Sequence, residues 1–254
     1  MEVARPLPRL ANRVLSRARE LVLSSVTPAR VRLQLQRPVF TFTFDDVPES
    51  AVTNGLPILA DHGVRATWYI AGSLVGRDLS MEAAKHLVTT GQDIQCHSYS
   101  HYKLFAGTPE ALRADAERNR TYLQSVLQSN VIEHFSFPFG EVSLTAKRTL
   151  LEDYRSLRSI YPGVNRGRVD LGLLRANSIY SATFEQARFE RLVELAVRSH
   201  GWLILYTHGV CESPDKWSCT PRTVRLTVDH CLRAGMTPMS VSDVCREIAL
   251  YRKG

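Results

Sequence analysis

Hydrophobic and polar positions along the chain repeat with two different periods, which predict an alternation of strands and helices. Residues 38–46 alternate phenylalanine with threonine, the period of two that is typical of a strand with two different faces. Residues 109–128 repeat apolar positions every three or four residues behind a proline, as an amphipathic helix does. Further strands are predicted at residues 65–70, 93–96, 134–137, 154–160, 202–207 and 237–239, and further helices at residues 8–27, 56–62, 81–90, 144–152, 184–199, 223–234 and 243–251.

This alternation predicts the fold class. Strands separated by helices pair in parallel through crossover connections, so we expect an α/β fold, either a (β/α) barrel or a doubly wound sheet. The sequence contains no internal repeat and no low-complexity segment. One domain boundary is predicted, between a helical N-terminal extension at residues 1–37 and an α/β region at residues 38–254.

The formal net charge of +7 belongs almost entirely to the N-terminal extension. Residues 1–37 hold eight arginines and two acidic residues, while the rest of the chain is nearly neutral. The charge therefore argues against a polyanion-binding α/β region, and no nucleic-acid-binding motif is present. Residues 8–27 allow two interpretations: a basic amphipathic helix that contacts an anionic membrane or partner, or a helix packed on the barrel with its arginines in water.

Cysteine usage and hydropathy bear on the compartment. The five cysteines are an odd number without a C-x-x-C pair, which favours reduced thiols. The sequence shows no secretory signal and no segment near the ~20 apolar residues of a spanning helix. We therefore expect a cytoplasmic protein, with peripheral contact at the inner membrane face as one option.

Chemistry-bearing residues follow four predicted strands, at the carboxyl ends where α/β folds collect their functional groups. These segments are Asp45-Asp46, His97-Ser98-Tyr99-Ser100-His101, residues 135–140 and Thr207-His208-Gly209. Each alone is compatible with an ordinary loop, but all four at strand ends favour a site. One carboxylate and two imidazoles form an open ligand set for a divalent metal ion, and bound zinc lowers the pKa of water toward ~7. A second carboxylate and a further histidine would serve as base and acid in the hydrolysis of an amide or ester.

In their order and in their residues, these segments resemble the motifs of the polysaccharide deacetylases of carbohydrate esterase family four, which include nodulation chitooligosaccharide deacetylases. Residues 43–46 match the first motif, residues 97–101 the second, residues 138–140 the end of the third and residues 203–208 the last. The resemblance spans roughly residues 38–245 and implies a distorted (β/α) barrel with a zinc-type site.

By motif position, the resemblance implies a metal site and two proton-transfer groups. Asp46, His97 and His101 would hold the metal ion, with Zn²⁺ the first expectation and Co²⁺ the second. Asp45 would be the general base and His208 the general acid.

The resemblance also implies two groups that face the substrate. The backbone N–H of Phe139 would stabilise the tetrahedral oxyanion together with the metal. Leu205 would line the pocket for the acetyl methyl group.

Two departures from the family pattern concern the support of the base and the acid. Ser136 stands where the third motif usually has an arginine that orients the catalytic base, and the fourth motif, an Asp-x-x-Asp-Trp type segment, has no clear match. We expect Arg166 or Arg168 to supply the missing cation near Asp45, and Asp170 to support the acid or the base. The alternative is that these residues form a salt bridge within a loop.

The sequence thus predicts a metal-dependent hydrolase that removes N-acetyl groups from a sugar in a glycan, an oligosaccharide or a lipid-linked precursor. An O-acetyl esterase or a non-sugar amidase on the same fold is an alternative, and so is a non-catalytic glycan-binding relative. The expected partner is an N-acetylated saccharide and not a nucleic acid, and the oligomeric state is left open.

Overall fold

The computed structural model describes residues 20, 22–24, 29–102, 107–128 and 131–251, with the side chains of residues 250 and 251 left aside. Most of the helix predicted over residues 8–27 therefore lies outside the described residues. No helix in the described ranges is long and apolar enough to cross a membrane.

Eight parallel strands curl into a half-barrel with helices packed around it. The strands in the described residues are β1 (Arg30–Arg32), β2 (Val39–Asp45), β3 (Thr67–Ile70), β4 (Asp93–Cys96), β5 (His134–Ser136), β6 (Ser156–Arg158), β7 (Arg168–Asp170), β8 (Asn177–Ser178), β9 (Trp202–Thr207) and β10 (Thr237–Pro238). The half-barrel has the order β6-β5-β4-β3-β2-β9-β8, with β10 beside the start of β2. This confirms the predicted α/β fold and favours the barrel over the doubly wound sheet.

The surrounding helices begin where the sequence supplies capping groups. They are α1 (Leu56–Asp61), α2 (Met81–Thr89), α3 (Pro109–Val126), α4 (Leu144–Leu150), α5 (Gln186–Ser199), α6 (Pro221–Arg233) and α7 (Val241–Tyr251). Four of them start at a hydroxyl that accepts a backbone N–H of the first turn, namely at Ser80, Thr108, Ser143 and Thr220. Such caps satisfy N–H groups that have no partner inside the helix.

The central strand β2 separates two apolar clusters. Phe40, Phe42 and Phe44 point outward into the layer between the sheet and its helices. The ring of Phe44 stacks on Trp68 of β3 at a centroid distance of 4.1 Å. Alternate residues of β2 face the other way, toward the barrel interior. Asp45 therefore emerges on the inner face at the carboxyl end of the strand.

A two-stranded antiparallel ribbon of β1 and β7 covers one side of the barrel. Val31, Leu33 and Leu35 are buried in the inner cluster with Trp202 and Ile204 of β9. Residues near the end of the predicted extension therefore pack as part of the barrel. The domain boundary at residue 37 stays a prediction.

Candidate metal centre and active site

Asp46, His97 and His101 converge at the carboxyl end of the half-barrel. Nε2 of His101 lies 2.8 Å from Oδ1 of Asp46, and Nε2 of His97 lies 3.3 Å from the same oxygen. The three ligand atoms all lie within 4.8 Å of one another, and in the described part of the chain this is the one cluster of three such residues. The structure thus brings together the three residues expected to hold a metal ion.

The surroundings of this cluster fit a divalent metal ion. Oδ1 of Asp46 is buried and accepts no hydrogen bond of acceptable geometry from the described residues, despite the two nearby imidazole nitrogens. Nδ1 of His97 lies 2.8 Å from the carbonyl oxygen of Ser136, to which it donates. That hydrogen bond fixes the tautomer and leaves the Nε2 lone pair directed at the cluster, as in histidines that ligate metals.

Electrostatics keep the carboxylate of this cluster ionised. Burial alone would raise the pKa of Asp46, but His101 and His97 outweigh it and hold that pKa well below its usual range. Burial lowers the pKa of His97, and the neighbouring carboxylates of Asp46 and Asp45 more than offset this, so the pKa is raised. The cluster therefore offers a fixed negative charge to a cation.

Backbone strain concentrates around the same cluster. Five of the seven non-glycine residues with positive φ in the described ranges lie here: Asp46 (60°), Val47 (55°), Ser98 (63°), His101 (48°) and Phe139 (57°). This left-handed region is unfavourable for residues with a Cβ, above all for a β-branched valine. Such strain persists where the surrounding structure holds a functional geometry.

Helix α3 holds residues 97–101, here called the histidine loop, in place. The carboxylate of Asp115 accepts the backbone N–H groups of Tyr99 and Ser100, at 2.9 and 3.1 Å. One turn later, Asn119 donates to the carbonyl of Ile70 and accepts from the N–H of Gly72, both at 2.8 Å. Both polar side chains are buried, so the loop is anchored by satisfied hydrogen bonds.

The cation beside Asp45 is Arg158, the last residue of β6. Its guanidinium donates to Oδ2 of Asp45. Arg166 and Arg168 are exposed instead, and Arg168 lies opposite Arg32 in the β1–β7 ribbon. The expectation that one of them reaches Asp45 is therefore wrong.

Asp170 does not support the acid or the base either. Its carboxylate binds the buried ammonium of Lys147 at 2.5 Å and accepts the N–H of Gly172 at 2.9 Å. These contacts tie α4 to the segment after β7. Asp170 thus stabilises the barrel wall.

His208 lies on the other side of the cluster. Its Nε2 is 3.6 Å from Oδ2 of Asp46, and its Nδ1 lies 3.1 Å from the carbonyl oxygen of Trp217. The loop that carries Trp217 is shaped by Asp215, whose carboxylate accepts the N–H of Trp217 at 3.0 Å. A backbone carbonyl therefore orients the imidazole, and its other nitrogen faces the metal cluster.

Leu205 lies on the outer face of β9, away from His208. It belongs to the outer apolar cluster and borders a cavity of about 250 Å³ with Phe189 and Leu192 of α5. Because side chains alternate along a strand, the residue that shares the inner face with His208 is Tyr206. The expectation that Leu205 lines a pocket at the cluster is therefore wrong.

Aromatic side chains edge the cluster and face solvent. Phe139 is 53% exposed, and its ring centroid lies 4.7 Å from that of His101. Trp217 is 50% exposed and packs edge-on to Tyr180, whose ring lies 5.6 Å from that of His208. The entrance to the site is therefore a partly apolar rim.

A sequence profile of the polysaccharide deacetylase family matches residues 32–156. This match includes β2, the two aspartates at its carboxyl end and residues 97–101. This match supports the identification of the chain as a relative of the polysaccharide deacetylases. No curated protein matches the chain significantly.

Solved structures of the family share the fold of this polysaccharide deacetylase homologue. The CE4 domain of a multidomain xylanase from the hindgut metagenome of Trinervitermes trinervoides is 18% identical, with 84% of this chain and 91% of that chain covered and a TM-score of 0.60. A family 4 acetyl xylan esterase from Clostridium thermocellum, in complex with a cobalt ion, is 20% identical with coverages of 82% and 91% and a TM-score of 0.59. A CE4 family pseudoenzyme from Bacillus anthracis is 13% identical with coverages of 87% and 70% and a TM-score of 0.59. At these identities the likeness establishes the fold.

Sequence reasoning did not find several residues that support the site. Asp115 and Asn119 stand four residues apart on the buried side of α3. Their signal in the sequence is that polar residues occupy positions of the helix where apolar residues are expected. Trp217 orients His208 through its backbone carbonyl, a contact that leaves no trace in the sequence. Arg158 carried no signal in its own segment, because its partner Asp45 is 113 residues away.

Proposed function

We propose that this protein is a metal-dependent hydrolase that removes N-acetyl groups from an N-acetylated sugar in a glycan, an oligosaccharide or a lipid-linked precursor. The observation that carries the proposal is the convergence of Asp46, His97 and His101, with Asp45 and His208 beside them. A binding relative without turnover has no need of five such groups in one place.

Asp46, His97 and His101 would hold the metal ion. One oxygen and two imidazole nitrogens suit Zn²⁺ first and Co²⁺ second. When bound, such an ion supplies polarisation of the acetyl carbonyl and a lower pKa for a bound water.

Asp45 would act as the general base. Its Oδ2 is engaged by Arg158, while its buried Oδ1 accepts no hydrogen bond from the described residues. That free oxygen can take a proton from the attacking water as the new C–O bond forms. The backbone N–H of Phe139 would donate to the oxyanion of the tetrahedral intermediate.

His208 would act as the general acid. The Trp217 carbonyl holds Nδ1–H, so a proton on Nε2 is directed toward the cluster. As the C–N bond breaks, this proton passes to the departing nitrogen, and the products are acetate and a free amino sugar.

The exposed aromatic rim supports a sugar as the substrate. The half-exposed side chain of Phe139 lies beside His101, and that of Trp217 lies near His208. Aromatic rings in a partly polar rim suit a ligand with both apolar and hydroxyl-bearing faces.

An O-acetyl sugar is the second candidate substrate. One structural neighbour is an acetyl xylan esterase, and the same metal and base would serve an ester. The two candidates differ in whether the departing atom is nitrogen or oxygen.

The basic N-terminal extension supports a cytoplasmic location at the inner face of the membrane, where a lipid-linked precursor would be presented. The described cysteines are all free thiols, which suits a reducing compartment. Cosedimentation of the full chain with anionic vesicles should exceed that of a variant lacking residues 1–27. Equal association of the two proteins would refute membrane contact through residues 8–27.

Acetate release tests the proposed function. The purified full chain, loaded with Zn²⁺ or Co²⁺, is incubated with N-acetylchitooligosaccharides and separately with O-acetylated xylan. We expect release from the N-acetylated substrate, abolished by chelation and restored by the metal. Release from the O-acetylated xylan alone would establish the second candidate, and metal binding without release from either would favour a non-catalytic relative.

A further inference from the structure

Arg158 places a positive charge inside the barrel, where it is almost completely buried. Its Nη2 donates to both Asp45 Oδ2 and Ser136 Oγ, and its Nη1 donates to the carbonyl of Ser159 at 3.2 Å. An unpaired charge in such a place is very costly, so its partners must be held in fixed positions.

Two aromatic rings restrict the guanidinium further. Its central carbon lies 4.9 Å from the ring centroid of Tyr206 and 5.2 Å from that of Tyr69. Both rings belong to the inner cluster of the barrel. Cation–π contacts of this kind favour one orientation of the planar group. The direction in which Arg158 holds Asp45 is therefore set by packed side chains.

The register of the sheet connects Arg158 with the unusual Ser136. These two residues are direct partners in the parallel pairing of β5 and β6. Neighbouring strands lie about 4.8 Å apart, which is within the reach of an arginine side chain. An arginine at either position can thus bring its guanidinium to the same carboxylate. The serine at position 136 is small and leaves room for the side chain that arrives from β6.

We propose that Arg158 is the positioning residue of Asp45, and that it supplies from β6 the cation that the third motif of the family carries on β5. This inference rests on the proposed function, because it assigns Asp45 the part of the base. Arg158 occupies only one oxygen of Asp45, and the other oxygen accepts no hydrogen bond from the described residues. The pair therefore orients the carboxylate while one oxygen stays available to water.

An exchange of the two residues tests the proposal. Arg158→Ser should lower kcat at least about 100-fold with KM changed less than about threefold, because positioning of the base acts on the chemical step. The double variant Ser136→Arg/Arg158→Ser should recover at least about tenfold of that loss. The exposed Arg168→Ser is the matched control and should keep the kcat of the unsubstituted chain. Zn²⁺ content should be the same in all four proteins.

Two results would overturn the positioning role. One is an Arg158→Ser variant that keeps kcat within about threefold of the unsubstituted chain. The other is a folded, zinc-loaded double variant with no gain over Arg158→Ser.

Measurements of unfolding, which need no catalytic turnover, test the pairing of Arg158 with Asp45 independently of the proposed function. Unfolding of Asp45→Asn, Arg158→Ser and their combination forms a double-mutant cycle. The combined variant should be less destabilised than the sum of the single variants, because removal of one partner leaves the other buried and unpaired. Additive effects would overturn the proposed pair even if the chain releases acetate, and coupling would support it even if no tested substrate is hydrolysed.

Discussion

The two faces of β2 do different work. On the outer face, Phe42 and Phe44 fill space between the sheet and its helices without a polar contact. On the inner face, Thr41, Thr43 and Asp45 are equally buried but have polar partners. Thr43 donates to the carbonyl of Leu205 at 3.0 Å, and Asp45 binds Arg158.

The seven residues of β2 thus contribute to stability through the packing of the outer face and to the site through the polar groups of the inner face. Substitution on the outer face removes packed volume, so it should change the free energy of unfolding and spare the site. Substitution on the inner face removes a partner from a polar network, so it should change either a proton transfer or a hydrogen-bonded support. Variants on the two faces should therefore separate a loss of stability from a loss of activity.

Loss of the acid on the inner side of β9 should have the largest effect on activity. We expect His208→Ala to lower kcat for acetate release by about 10²–10⁴-fold, because the departing nitrogen loses its proton donor. Zn²⁺ content should not change. His86→Ala is the matched control, because it removes an exposed histidine of α2 outside the site and should keep kcat. Normal kcat in His208→Ala would contradict the assignment.

Loss of an outer ring should have the largest effect on stability. Phe42→Ala should lower the free energy of unfolding by about 3–5 kcal/mol, because a fully buried ring leaves a cavity. Chemical denaturation measures this value, and Phe42→Leu should cost clearly less. At a temperature where it is folded, Phe42→Ala should keep its Zn²⁺ content and kcat. A Phe42→Ala variant that keeps its stability but loses zinc or kcat would contradict the separate roles of the two faces.

His134 should make the free energy of unfolding depend on pH. It lies on β5, at the end of the barrel away from the metal cluster. It is buried, its Nδ1 lies 2.9 Å from Ser156 Oγ, and burial lowers its pKa to about 4. Between about pH 6.5 and 4 the unfolded chain binds a proton on this histidine that the folded chain does not. The free energy of unfolding should therefore fall as the pH drops through this interval, by up to about 3 kcal/mol from this one group.

His134→Asn tests that dependence, since asparagine does not titrate and can still bond Ser156. The difference in unfolding free energy between pH 7 and pH 4.5 should be smaller in the variant. Parallel curves for the two proteins would show that His134 does not titrate as inferred.

Single hydroxyls on the inner face should have the smallest effects. Thr43→Val removes one buried donor and should cost about 1 kcal/mol of unfolding free energy. Thr41→Val should cost more, because Thr41 also accepts the indole N–H of Trp202 at 2.7 Å, which would be left unpaired. Denaturation measures both costs. Equal losses of unfolding free energy in Thr43→Val and Thr41→Val would show that the additional hydrogen bond from Trp202 does not stabilise the fold.

Long periodic segments made much of the fold predictable. The phenylalanine–threonine alternation predicted β2 to within a residue, and the expected strands at 93–96 and 202–207 have the observed bounds. The strands β1 and β7 were missed because they form by pairing with each other across distant segments, which local patterns do not encode. The two-residue β8 was missed as well.

The candidate site was predictable where it consists of motifs at strand ends. The expected convergence of Asp46, His97 and His101 depends only on strands that end at one edge of the barrel. Arg158 was missed because its position depends on the register of β5 against β6, which local patterns do not encode. The position of Leu205 followed from alternation along β9, since His208 is three residues away and points to the other face.

We propose that the adjacent aspartates at the end of β2 have different roles, with Asp46 holding the metal ion and Asp45 accepting a proton from the water. The most direct test is the Zn²⁺ content and acetate release of Asp45→Asn and Asp46→Asn measured side by side with the unsubstituted chain. We predict that both variants lose acetate release by at least about 100-fold, that Asp45→Asn keeps its zinc, and that Asp46→Asn loses it. Loss of zinc from both variants, or its retention in both, would contradict the claim.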